Sequence, residues 1–156
     1  MPSIKILAPE EYERAADLVA NHYNLTLCIC YVTIRYLPGY DEVRKLFVPI
    51  ITAFLQATFN PRPRAAGEDM VDMQALIILL VFTRSYVPEG GSESLSSVEI
   101  DYRSVKTAAE ASATAMGLHT AGDHLWRLKQ TGSTYQYTDP CTRRYVYWIW
   151  LFQMSH

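Results

Sequence analysis

Few side chains in this sequence are able to do chemistry: three cysteines, four histidines, a glutamate pair, an arginine pair and eleven tyrosines. Cys28-x-Cys30 has the spacing of a redox pair or of half a metal site. Only Cys141 and the histidines are left to complete a ligand set, and no second pair has ligand spacing. A buried free cysteine otherwise behaves as a small apolar residue, and both are read that way. His119 and His124 are five residues apart, not the four that place two ligands on one helical face. Beside a glycine turn they read as capping or solvated side chains. Serine, histidine and aspartate all occur, but without a G-x-S-x-G elbow. Gly90-Gly91 follows Pro88-Glu89 with no strand before it, so it is no phosphate cradle. Glu10 and Glu11 read as helix-start charges rather than as paired acids. The expectation is no catalytic site, no bound cofactor and no metal ligand in this chain.

Two aromatic or basic features ask for partners. Tyr135 and Tyr137 alternate in a polar connection, either as a binding surface or, the expectation here, as loop aromatics packing back on helices. Arg143 and Arg144 fall in the first turns of the last helix and are followed by Tyr-Val-Tyr-Trp-Ile-Trp-Leu-Phe. Cations there oppose the helix dipole by about 0.3–1 kcal/mol. At least one of the two is therefore expected to meet Asp101, Glu110, Asp123 or Asp139, with phosphate or DNA contact as the functional alternative.

Composition bounds the rest. The chain has 156 residues, the size of one domain. Charged residues make up 19%, below the usual ~25%. A hydrophobic share of 49% with a net charge of −2 excludes a disordered chain and gives no basic excess for free-standing nucleic-acid binding. The longest apolar runs, 75–82 and 145–152, have eight residues each, against about 18 for a membrane helix. The opening MPSIKILAPEEYERA has no signal-peptide core. The chain reads as soluble and intracellular.

The elements that must position these residues read as helices. Residues 9–23 open with Pro9 and three glutamates, and Tyr12, Ala15, Ala16, Val19 and Tyr23 give one apolar face. Residues 25–37 carry strand-favouring types but lack a strand partner, so they read as a helix continuation or an irregular segment. Residues 41–59 form a helix with a wide apolar stripe of Val43, Leu46, Phe47, Ile50, Ile51, Phe54 and Leu55, kinked or broken at Pro49. The 69–86 helix is apolar on all sides over 75–82 and is expected at the centre of a helical domain. Ser96 and Glu99 have capping-box spacing and place a helix start near residue 97, running to Met116 with a run of alanines. Gly117 is its left-handed cap, with Leu118 folding back. Residues 123–129 read as a short helix. Asp139-Pro140 opens the last one, which runs to the end of the sequence. The fold class is all-α, a bundle-like array of about five to six helices.

Three ordered segments carry a resemblance. Met73-Gln74-Ala75-Leu76 lies in the apolar helix, Met116-Gly117-Leu118-His119 ends the alanine-rich one, and Arg143-Arg144 with Trp148 opens the aromatic one. In order and spacing they resemble the fungal-specific transcription factor domain, the middle homology region of fungal zinc-cluster and some zinc-finger regulators. The resemblance covers residues 39–156 as a partial regulatory domain, while 1–38 match poorly. It implies an α-helical, non-catalytic domain of a nuclear transcription regulator. Zinc and DNA binding would then belong to a separate module, since no cysteine cluster or basic reading segment is present here. It also implies that the array is C-terminally incomplete, because family members continue beyond the aromatic helix. An incomplete array is expected to expose some of Tyr147, Trp148, Trp150, Leu151 and Met154 and to self-associate through the last helix. Expected partners are other parts of the regulator or the transcription machinery, with no membrane. Two other classes compete: a small helical enzyme or subdomain binding an apolar ligand between helices, and a membrane-surface protein, the latter disfavoured by the absence of a lysine-rich face.

Overall fold

The computed structural model describes residues 15–59, 68–84, 99–130 and 140–155. Among them are seven α-helices and no strand: α1 (Ala15–Asn21), α2 (Tyr23–Ile34), α3 (Asp41–Ala57), α4 (Glu68–Arg84), α5 (Tyr102–Ala115), α6 (Ala121–Gln130) and α7 (Pro140–Ser155). The expectations for residues 1–14, the loops at 60–64 and 88–94, Ser96, Tyr135, Tyr137 and Asp139 lie outside the described residues.

α1 and α2 meet at His22, whose backbone leaves the helical region at φ −135°, ψ 52°. The ladder nevertheless carries across: His22 N donates to the Leu18 carbonyl at 2.8 Å and Thr26 N donates to that of His22 at 2.9 Å. The segment read as a helix continuation or an irregular segment is helical as far as Ile34, although its β-branched residues and weak periodicity give it little intrinsic bias. Burial supplies the bias instead. Leu25, Leu27, Cys28, Tyr31 and Val32 all enter the core, where α2 lies against α3 and α4. The turn at 35–40 separates α2 from α3, and both contribute to one core cluster.

α4 is the centre. Every residue from Asp72 to Leu80 is buried, and the helix packs on α2, α5 and α7. A side chain such as Leu76 or Leu79, fully removed from water, contributes about 1.5–3 kcal/mol. α5 approaches α4 through Ala108, Ala109, Ser112 and Ala113, all buried, and small side chains keep the two backbones close. α3 runs unbroken through Pro49, which lies exposed, so of the expected kink or break the break is absent.

The expected helix start near residue 97 is corrected. α5 begins at Tyr102, and its cap is Asp101, whose Oδ2 accepts from the Ser104 backbone N–H at 3.0 Å. Glu99 pairs with Arg44 of α3. An aspartate in extended conformation satisfies the first-turn donors, and Glu99 is left for a long-range partner. The glycine stop is as expected: Gly117 has φ 64° and ψ 31°, and Leu118 is fully buried behind it in a 3-10 turn, Leu118–Thr120.

Candidate functional site

α7 links the three segments far apart in sequence: it packs on α4 and on the turn after α5. Gln74, Ala75 and Leu76 sit on the buried middle of α4. Gln74 Nε2 donates to the Tyr147 hydroxyl of α7 at 2.5 Å, a buried bond between residues 73 apart in sequence. One turn earlier on α7, Arg144 donates from its guanidinium to the Met116 carbonyl. Met116 is half-buried, and its carbonyl is one of those a helix end leaves without an intrahelical partner. A cation on a helix C-terminus also complements the negative end of that dipole. Gly117 sits beside this contact with room for a Cβ, 4.0 Å from the Arg144 guanidinium, so its left-handed backbone and not crowding calls for glycine. Leu118 fills the core below, and exposed His119 meets half-buried Trp148 edge-on, with ring centroids 6.3 Å apart at 66°.

Arg144 thus answers the dipole penalty of its own helix by capping another. The described partner of Arg144 is a backbone carbonyl. Of the carboxylates expected near the arginine pair, Asp139 lies outside the described residues. Arg143 is half-buried and engaged in an interaction of its own. Tyr147, the far end of the Gln74 bond, was visible in the sequence only as one of several aromatics. Its place one turn after Arg143-Arg144 is the signal that singles it out. Tyr147 and Leu151 are each only 2% exposed, so the aromatic helix turns these two inward.

The cysteines do not form a reactive pair. Cys28 is fully buried, and burial first, then the nearby Asp72 charge, pushes its thiol up to about 12. Asp72 is itself buried and accepts from Asn24 Nδ2 at 2.8 Å, tying α4 to α2. Cys30 is half-buried and also free. Among the described residues no group of three histidine, cysteine or acidic side chains is placed to hold a metal ion.

A second constellation was not legible beforehand. Arg44 lies 5.3 Å from the Tyr31 ring centroid and pairs with Glu99, and the Tyr31 hydroxyl accepts from the Ile100 N–H at 3.4 Å. Burial alone would lower the Arg44 pKa, but hydrogen bonds to Tyr31 and Glu99 outweigh it and the net shift is upward. This strap holds residues 99–101 across α2 and α3 at one end of an open cleft of about 470 Å³ between α3 and α5. Leu55, Ile100 and Phe59 give the cleft apolar walls, and Arg103 and Asp101 lie at its polar side.

No known protein family, curated protein or solved structure matches this chain at a significant level.

Proposed function

We propose that this chain is a non-catalytic regulatory domain of a fungal-type transcription regulator, acting in the nucleus, with zinc and DNA contacted by a separate module. One observation supports this reading above others. The three segments that carry the resemblance are linked through α7, by Gln74–Tyr147, Arg144–Met116 and His119–Trp148. A motif whose parts hold one another is what a domain would keep for the sake of its architecture. The described polar contacts of the junction run between helices, from Gln74 to Tyr147 and from Arg144 to the Met116 carbonyl, which supports a role in conformation or partner contact.

The test is to insert the whole chain between a zinc-cluster DNA-binding module and an activation domain in a fungal reporter strain. The expected result is reporter output changed severalfold at equal protein level, with nuclear localisation. Arg144→Ala, which loosens the junction, should return output toward that of the fusion lacking the chain. Equal output with and without the folded chain would overturn the reading.

A second reading, an apolar ligand held between helices, has the α3–α5 cleft in its favour, since about 470 Å³ lies within the usual range for ligand sites. A small apolar compound that raises the melting temperature of the native chain, but not of a Leu55→Trp variant filling the cleft, would support it.

A further inference from the structure

α3 is apolar over a wider arc than the core uses. Ile51, Phe54 and Leu55 are buried, while Val43, Leu46 and Ile50 are exposed, Leu46 at 68%. At 100° per residue, Val43, Leu46, Ile50, Ala53 and Ala57 fall within one arc of about 80° beside the buried arc. Ala53 and Ala57 are exposed as well. The stripe is therefore ordered along the helix: large side chains in its first half, small ones in its second, and Ile50 between them.

We propose that this stripe is the interface between two copies of the chain, with α3 packed antiparallel on its mate about a two-fold axis at Ile50. A two-fold contact must complement itself. In this register Val43 stands over the partner's Ala57, Leu46 packs within one residue's rise, about 1.5 Å, of the partner's Ala53, and Ile50 meets its own copy. Large faces small on either side of the central Ile50 pair, which is how facing helices interdigitate. A parallel pair would set Leu46 on Leu46 and leave a gap where alanines meet. Charge favours the same choice. Glu42 borders the stripe and is held by Lys45 at 2.6 Å. Antiparallel packing keeps the two Glu42 side chains at opposite ends of the interface, whereas parallel packing brings like charges together. The other α3 cation, Arg44, is engaged by Glu99 on a different side. The inference stands independently of the transcriptional reading.

The test uses the whole chain in sedimentation equilibrium and in cysteine crosslinking. A dimer of the 17.8 kDa chain is expected at micromolar concentration. Leu46→Glu places a charge within the apolar contact, one turn from its axis, and should raise the dissociation constant at least about tenfold. Because Leu46 is exposed in the single chain, helicity by circular dichroism should be unchanged. Ile50→Cys should crosslink to its own copy under mild oxidation, while Leu46→Cys should crosslink only when mixed with Ala53→Cys. The unsubstituted chain, with its native cysteines, sets the background. A monomer, a dimer indifferent to Leu46→Glu, or preferential self-crosslinking of Leu46→Cys would each overturn the proposal and leave the face to another occupant or register.

Discussion

At the scale of single residues, two side chains and one glycine control the junction. Gly117 adopts φ 64°, a region where any Cβ is strained although nothing crowds it closer than 3.8 Å. Gly117→Ala should therefore lower stability by about 1–2 kcal/mol through backbone strain alone, read from urea denaturation. Tyr147→Phe leaves the buried Gln74 amide short of its acceptor and should cost about 1–3 kcal/mol. Gln74→Met combined with Tyr147→Phe should cost less than the two single changes summed, because neither buried partner then remains. Additive single effects would show that the bond does not hold the two helices together. Cys28 makes a pH prediction. Its thiol is raised from 9.0 to about 12, so the native state resists ionisation that the unfolded chain accepts. Its contribution to stability is complete below pH 9 and is lost as pH rises from there toward about 12. Stability of the protein should fall through that window, and Cys28→Ala should flatten the fall. Below pH 9, Cys30 should react with a thiol reagent well before Cys28.

At the scale of elements, caps and straps decide where helices begin and how they are held. Asp101 caps α5, so Asp101→Ala should cost about 0.5–2 kcal/mol and weaken amide protection in the first turn of α5, measured by hydrogen exchange. Arg44→Met keeps much of the side-chain stem but removes the pair with Glu99 and the contact with Tyr31. Hydrogen bonds to charged groups contribute about 1.5–3 kcal/mol, and a loss in that range is expected, together with faster exchange at Ile100. Unchanged protection there would mean that the strap does not hold residues 99–101. Ser96 and Glu99 matched the capping-box spacing, yet Asp101 caps the helix. Both patterns are local, and the one that won left Glu99 available for Arg44, a partner 55 residues away.

For the molecule as a whole, α4 makes the fold cooperative, since it touches α2, α5 and α7 at once. Truncating Leu76 to alanine should cost about 2–5 kcal/mol and lower helix and tertiary signals in a single transition. Among the described residues no helix is long and apolar enough to cross a membrane. The exposed large apolar side chains include Leu46 on α3 and Trp126 on α6, while Tyr147 and Leu151 of the aromatic helix are inside.

Read alone, the order of residues was enough to place the all-α class, the buried helix around 75–80, the glycine stop at 117 and the proline opening of α7. Each of these depends on contacts within a turn or two, or on a run so apolar that no exposed face is possible. Tertiary structure decided the rest. It chose which part of the α3 stripe is buried, and turned Arg144 onto the end of another helix. It also joined Gln74 to Tyr147, and Arg44 to Glu99 and Tyr31. Those outcomes depend on which helices lie side by side, and helix proximity follows from packing the whole core rather than from any local pattern of types.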